Sequence, residues 1–582
     1  MSALGDETVT MNHYVTTLNI SDRIWDAKYR WREDGFCLDN RIEDTWRRIA
    51  RALAGVGRDF SHESDFYDVL ENFAFLPGGR IQAGAGTRHK VTLFNCFVMG
   101  EIEDSLSGIF DSLKEGAVTM QQGGGVGYDF STLRPYGMAA KGVGMIASGP
   151  VSFMKIWDSM CGTILSTGAR RGAMMGTLRC DHPDVMEFVE AKRDPGSLRH
   201  FNLSVLVTDA FMNAVRSDDR WTLVFPEKGK AFGQVKAREL WQRIVRAAYD
   251  CAEPGVIFID RVRRMDNLGY GEIIHATNPC GEIPLPPYGA CDLGSINLTR
   301  FVRDPFSEKA AIDFDGIRRT AAIAVRMLDN VYDLSNFPLP KQRQVARSSR
   351  RIGLGITGLA DAFIMLGLDY GEAGSIDAAD GIMKAVKESA YETSIELARE
   401  KGTFPLFGPQ YLEGEFVKTL PESIRKGIAE HGIRNSHLTA IAPTGTISLL
   451  AGNISSGIEP VYALEYDRNI RLADGRIDSV TVKDYALGLY GKDPLPSGFL
   501  TMKDISPEKQ LLMQAALQKH VDNAISKTVN VPEHCDFDSF ASVYDRAFDL
   551  GLKGCTAFRP NPVTGRVLVE KPQCCSVERE AD

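Results

Sequence analysis

Asn278-Pro279-Cys280-Gly281-Glu282 is the stretch on which the reading of this chain turns. Pro279 fixes φ before the cysteine and Gly281 relaxes it afterwards, which suits a thiol at the tip of a tight loop. If the loop is roughly extended, alternate residues share a side and Asn278, Cys280 and Glu282 converge. A two-way hydrogen-bonding amide, a redox-capable sulfur and an acceptor carboxylate then face one point. On these five residues alone, a packed loop cysteine is as good a reading as a reactive one. Further on stands a second cysteine, in Gly289-Ala290-Cys291-Asp292-Leu293-Gly294.

The surrounding chain sets bounds on that chemistry. Its 582 residues are 44% hydrophobic and 25% charged, ordinary for a globular protein with a large core. Disorder and a small disulfide-stapled scaffold are excluded. A net charge of −9 gives no global footprint for nucleic acid or an anionic membrane, although a phosphate can still be held locally. No apolar run of ~18 residues is present, so no membrane helix is expected. Met1 to Glu7 lacks the basic and apolar regions of a signal peptide, which points to the cytoplasm. Thiols are reduced there, so the 11 cysteines read as buried, metal-bound or catalytic. With no CxxC, HExxH or HxH spacing, zinc is disfavoured and no metal-ligand set is expected.

Apolar residues recur at three- and four-residue spacing in Ile42 to Ala54, and residues 1–75 read as mainly helical. A glycine-dense region from Pro77 to Pro150 is followed by alternating strand-like and helical stretches to about Pro340. Gly353 to Leu368 reads as a turn feeding a helix, Asp377 to Lys401 as a long amphipathic helix. His437 to Leu450 reads as a buried strand, a turn and a helix start. The alternation predicts α/β architecture around one large core over 76–569, with a short polar tail at 570–582.

Gly353-Leu-Gly355-Ile-Thr-Gly358 spells GxGxxG, but Lys341 to Arg351 before it is polar with four arginines, not the strand that a dinucleotide site requires. Close packing or a helix start is the better reading. Gly142 to Ala147 fails the same test. Gly123-Gly124-Gly125-Val-Gly127 demands close backbone approach, by a ligand or within a tight turn. Pro443-Thr444-Gly445-Thr446-Ile447 before Ser-Leu-Leu offers backbone N–H groups and hydroxyls to an anion, with an ordinary helix cap as the alternative.

Asn-x-Cys-x-Glu followed by Cys291 resembles the catalytic segment of ribonucleotide reductase large subunits. Phe94-Asn95-Cys96 resembles the segment with the family's other redox cysteine, and Gln122 to Gly127 the glycine-rich substrate strip. Ser166-Thr-Gly-Ala-Arg-Arg171 resembles the loop that joins effector and substrate sites, and Ala442 to Ser448 the diphosphate-binding turn. About five such motifs stand in order between roughly 75 and 567. Among the family's classes, the tyrosine pair that receives a radical from a partner subunit is replaced by Thr556-Ala557. The segment Thr564-Gly-Arg-Val-Leu-Val is not a glycyl-radical signature. Ile20 to Arg30 and Gly554 to Gly565 resemble class II, the adenosylcobalamin-dependent reductases, though no Asp-x-His-x-x-Gly cobalamin motif is present and the class does not need one.

The resemblance implies a ten-stranded α/β barrel with Cys280 on a central finger loop. It implies that a 5′-deoxyadenosyl radical takes hydrogen from Cys280, whose thiyl abstracts the ribose 3′-hydrogen. Glu282 is then the general base on the 3′-hydroxyl and Asn278 its hydrogen-bonding partner. Cys96 and Cys291 supply the reducing equivalents and end as a disulfide. Asn95, Gly125 and Pro443 through Ile447 bind substrate, expected to be a ribonucleoside diphosphate. Asp104, with Arg134 as a further candidate, binds a dNTP or ATP effector at a homodimer interface; for Asp104 a helix N-cap is the competing reading. Ser166 and Arg171 lie on the specificity loop, and vicinal Cys574-Cys575 read as a redox tail served by a thioredoxin-like reductant, with free exposed thiols as the competing reading because a vicinal disulfide closes a strained eight-membered ring. An N-terminal ATP cone is not expected, because few residues precede the barrel. Two other functions compete: a large subunit served by a separate radical-generating subunit, which Thr556-Ala557 disfavours, and a non-catalytic nucleotide-binding regulator. A regulator has no need to keep all five of Cys96, Asn278, Cys280, Glu282 and Cys291.

Overall fold

The computed structural model describes residues 19–58, 60–139, 146–164, 172–194, 196–226, 229–471, 477–492, 494–496 and 498–561. The N-terminal region is helical at α1 (Ile42–Ala54) and α2 (Glu63–Glu71), and α1 turns Trp46, Ile49, Ala50 and Leu53 into the core as its spacing predicts. A two-residue hairpin, Arg32–Glu33 with Phe36–Cys37, interrupts the expected helical run. Beyond it lies a ten-stranded sheet of β1 (Phe75–Pro77), β2 (Cys96–Val98), β3 (Gly125–Asp129), β4 (Met174–Arg179), β5 (Phe201–Val207), β6 (Gly255–Phe258), β9 (Ala290–Asn297), β10 (Ile352–Thr357), β11 (Thr528–Asn530) and β12 (Gly554–Phe558). Two further short strands, β7 (Ala276–Thr277) and β8 (Pro284–Leu285), form a separate antiparallel hairpin.

The order across the sheet is β10-β9-β2-β3-β4-β5-β6-β12-β11, with β1 on β9. β2 to β6 run parallel, as do β9 with β10 and β11 with β12. The blocks meet in antiparallel pairs, β2 with β9 and β6 with β12. Parallel neighbours need long crossovers, and the helices between these strands supply them. Isolated parallel bridges add Leu354↔Thr439 beside β10 and Ile441↔Ile525 just before β11.

β9 is buried along its whole length and shows how the faces divide. Cys291 and Leu293 join Cys96, Val98 and Ala440 around the finger residues Ala276, Ile283 and Leu285. Ala290 and Ile296 point the other way, into the main core with the helices. The finger hairpin therefore stands against the inner face of the sheet.

Three expectations change in detail. Gly353 to Leu368 is not a turn before a helix. Ile352–Thr357 is a buried strand, Gly358 turns at φ +74°, and only then does a helix run over Leu359–Leu366. The long helix begins at Ala373, four residues earlier than expected, and ends at Lys401. His437 to Ile441 pairs through single bridges and no named strand, ahead of the helix Gly445–Leu450.

Candidate active site

The finger tip is a turn. Gly281 N–H donates to Asn278 O at 3.1 Å, Asn278 N–H to Ile283 O at 3.2 Å, and Gly281 holds φ +85°. The strand-like alternation expected for residues 278–282 is thus absent, because Gly281 in the left-handed region folds the chain back. Convergence survives by another route. Asn278 Oδ1 accepts from Ile283 N–H at 3.0 Å, and its Nδ2 donates to Cys96 Sγ at 3.1 Å. Cys96 Sγ in turn lies 3.7 Å from Glu282 Oε1.

The tip is clamped from outside by groups that the sequence did not single out. Asn202 Nδ2, from β5, donates to Pro279 O at 2.8 Å. Arg351 Nη1 donates to Pro284 O at 2.6 Å, and Ala524 N–H donates to Glu282 O at 2.9 Å. Arg351 is 1% exposed and pairs with Glu272 and Asp266. Burial, partly opposed by Arg351, pushes the Glu272 carboxyl up to about 8. One signal was legible: Asn202 is a polar side chain in the strand-like Phe201-Asn-Leu-Ser-Val205. Arg351 ends a polar run with four arginines, in which nothing marks one guanidinium as buried.

The glycine strip serves the finger as well as a cavity. A Cβ on Gly127 would collide with the Thr277 carbonyl, and one on Gly125 would come within 3.1 Å of Pro279 Cγ. Gly125 also lines a cavity of about 470 Å³, together with Asn95, Cys96, Asn278, Cys280, Glu282 and Pro443 through Ile447. Its wall also includes Ala27–Arg32, Gly78–Arg80 and Val91. Cys291 is not on that wall. It lies directly opposite Cys96 in the β2–β9 pair, fully buried one strand further back. Opposed antiparallel residues have Cα atoms about 4.5–5.5 Å apart, within the roughly 4.4–6.8 Å that a disulfide spans. Neither cysteine is disulfide-bonded.

Burial, reinforced by Glu282, drives the Cys96 thiol well above its ordinary range; burial and then Asp292 do the same to Cys291. Both stay as S–H and can donate hydrogen. Burial pushes the Glu282 carboxyl up to about 7, against hydrogen bonds from Asn278 and Cys96 that favour its charged form. Glu282 is 1% exposed, and its Oε2 has no hydrogen-bond partner. Asn95 Oδ1 is likewise buried and unpartnered. Two acceptors in the cavity's walls therefore lack a donor.

The Thr444 hydroxyl is engaged within the protein: it meets Thr357 Oγ1 at 2.8 Å and accepts from Gly457 N–H at 2.7 Å. Asp104 accepts from Arg134 N–H at 3.2 Å and pairs with Arg134 Nε at 2.8 Å, so the two effector candidates meet. The adjacent helix Leu106–Gln121 is capped by Ser105, not by Asp104. Ser166, Arg171, Cys574 and Cys575 lie outside the described residues. Among the described residues no helix is long and apolar enough to cross a membrane.

A family model described as ribonucleotide reductase, barrel domain, matches residues 94–558. A second, ribonucleotide reductase, all-alpha domain, matches 19–90. The vitamin B12-dependent ribonucleoside-diphosphate reductase of Mycobacterium tuberculosis (strain CDC 1551 / Oshkosh) is 39% identical over 549 residues, 90% of this chain and 76% of the relative. The protein of that description from Thermoplasma acidophilum is 36% identical over 560 residues, 92% of this chain and 70% of the relative. A ribonucleoside-diphosphate reductase subunit alpha of Chlamydia pneumoniae is 26% identical over 602 residues, 89% of this chain and 57% of the relative.

Proposed function

The chain belongs to the ribonucleotide reductase family, and from that premise we propose that it reduces ribonucleoside diphosphates to 2′-deoxyribonucleotides through a thiyl radical at Cys280, in the vitamin B12-dependent class. Its cofactor is adenosylcobalamin. The chemistry that the bound cofactor supplies is the one-electron oxidation of a thiol. Cys280 fits such a group because it is half-buried and lines the cavity. Gly78, Gly79, Gly123 and Gly124 line the same cavity, and Asn95 Oδ1 offers an unmet acceptor.

The chain's residues then divide the work. The Cys280 thiyl abstracts the 3′-hydrogen and later returns it. Glu282 takes the 3′-hydroxyl proton on Oε2, the oxygen that has no donor of its own; this is the observation that carries the reading. Asn278 keeps Cys96 in place beside Glu282. Cys96, on the cavity wall, gives the proton with which the 2′-hydroxyl leaves as water. Cys96 and Cys291 together lose two electrons and two hydrogens and close a disulfide, so one dithiol is oxidised for each ribose reduced.

The strand series closes into a barrel: the bridges at Leu354↔Thr439 and Ile441↔Ile525 support closure from β10 round to β11. The turn Pro443–Ile447 takes the substrate's phosphates, supported by its place on the cavity wall. An effector nucleotide binds at Asp104 and Arg134 in a homodimer, with Ser166 and Arg171 on the loop that carries its message. A thioredoxin-like protein reduces the internal disulfide through Cys574 and Cys575. A cytoplasmic location suits the nine described cysteines, none of which is disulfide-bonded.

The test is turnover of purified chain with adenosylcobalamin and a dithiol. Deoxynucleotide should form with no metal-containing partner subunit. Formation only after such a partner is added would overturn the proposal.

A further inference from the structure

Gly353-Leu354-Gly355-Ile356-Thr357-Gly358 lines no part of the cavity. β10 nevertheless lies against the segment that leads into the Pro443 turn. Leu354 N–H donates to Leu438 O at 2.9 Å, and Ala440 N–H donates to Leu354 O at 3.1 Å. A Cβ on Gly355 would collide with the Ala440 carbonyl, and one on Gly353 would come within 2.9 Å of Ala440 Cβ. The glycines thus let two backbones close up, and that approach delivers Thr357 beneath Thr444.

Three hydroxyls meet there. Thr357 Oγ1 stands 2.8 Å from Thr444 Oγ1 and 2.9 Å from Ser448 Oγ, and Thr444 Oγ1 and Ser448 Oγ are 3.1 Å apart. Thr357 Oγ1 also lies 3.1 Å from Ser455 O, an acceptor for one of the cluster's three hydroxyl protons. Gly457 N–H donates to Thr444 Oγ1 at 2.7 Å and to Thr357 Oγ1 at 3.1 Å. Above this cluster Thr444 holds φ +57°, a conformation that a β-branched residue adopts only when its surroundings impose it. Thr357, Thr444 and Ser448 are all buried, so water cannot replace the contacts.

We propose that Thr357 is a positioning residue for nucleotide binding: by anchoring the hydroxyls of Thr444 and Ser448 it holds the Pro443–Ile447 turn in the strained shape that receives the substrate's phosphates. The GxGxxG-like segment then serves the nucleotide from behind, as the platform under the turn. This rests on the reading of that turn as the phosphate site.

The experiment uses full-length chain with adenosylcobalamin and a dithiol, a ribonucleoside diphosphate as substrate, and inorganic pyrophosphate as competing probe. Thr357→Val keeps the shape of the side chain and removes the hydroxyl. It should raise KM and the pyrophosphate inhibition constant together, each about tenfold, with kcat within about twofold, the pattern of lost uniform binding. Inhibition by the corresponding nucleoside, which has no phosphates, should not move, and Thr357→Ser should restore wild-type values. Should Thr357→Val not fold, Ser448→Ala removes another corner of the same cluster and should shift KM and pyrophosphate inhibition in the same direction. Pyrophosphate that competes in the wild type but is not weakened in either variant overturns the positioning role. Pyrophosphate that does not compete in the wild type overturns the phosphate turn itself, and the positioning role with it.

Discussion

The parallel blocks of the sheet meet at two antiparallel seams, and the seams differ in their chemistry. In the first, Cys96 stands opposite Cys291; in the second, Val256 stands opposite Cys555. All three cysteines are buried, and burial pushes the Cys555 thiol up to about 12. Cys96 and Cys291 lie on the inner face, in the apolar cluster around the finger hairpin. Cys555 and Ala557 lie in the main core on the other face, behind the strands. Only the first seam sets two thiols face to face in that cluster, the arrangement that the proposed redox pair requires. Because strand side chains alternate, one step in register separates these outcomes.

The first way to break this comparison is to remove a thiol from each seam. Cys291→Ser should abolish deoxynucleotide formation. Cys555→Ser should keep turnover within about twofold while costing about 1–3 kcal/mol of stability for a buried hydroxyl with no arranged partner. Product assays and denaturant melts read both, and equal loss in the two variants would erase the distinction between the seams.

Next in size is the group beside the first seam. Glu282→Gln should lower kcat by about 10²–10⁴. The wild-type kcat/KM should rise with an acid limb near pH 7, as the carboxyl whose ionisation burial pushes up to about 7 becomes a base. The sign for stability is opposite. A carboxyl raised from 4.5 to about 7 on folding costs nothing below pH 4.5, costs progressively more as pH rises from 4.5 to 7, and costs a constant amount above that. Glu282→Gln should therefore melt higher than wild type at pH 8, by up to about 3 kcal/mol. A profile whose acid limb stays near pH 4.5 would count against the assignment.

Smaller effects sharpen the picture. Asn202→Ala frees the Pro279 carbonyl at the finger tip and should reduce kcat about tenfold through lost alignment of Cys280. A loss of stability with no change in kcat would make Asn202 a mere packing residue. Smallest of all, Val256→Cys places a thiol opposite Cys555. It should close a disulfide under mild oxidant, visible by mass, yet leave turnover within about twofold and fail to rescue Cys291→Ser, because that pair faces the wrong side.

Much of this site was legible because its chemistry is local. Asn278, Cys280 and Glu282 lie within five residues, and the glycines on either side of the finger announce close approach. The α/β class followed from alternating elements, and the helices Ile42–Ala54 and Ala373–Lys401 from their periodicity. What stayed hidden depends on contacts distant in sequence. Arg351 is one of four arginines in a polar run until Glu272 and Asp266 are folded against it. Asn202 gains its meaning only from Pro279, 77 residues on. The GxGxxG-like segment was read as close packing or a helix start, and close packing it is: its glycines answer to a neighbouring backbone. Which backbone makes the approach, spacing cannot say. The opposition of Cys96 to Cys291 could be expected from the resemblance, but only strand register brings it about.

The most direct test of the account is the fate of those two thiols in one turnover. Fully reduced chain, loaded with adenosylcobalamin, is given one equivalent of ribonucleoside diphosphate with no external reductant, then quenched in acid and alkylated. The peptides are mapped by mass. The account predicts one new cross-link, Cys96 to Cys291, in yield equal to the deoxynucleotide formed, with Cys280 and Cys555 recovered as alkylated thiols. Deoxynucleotide formed while Cys96 and Cys291 both remain alkylatable, or a cross-link that includes Cys280, would contradict it.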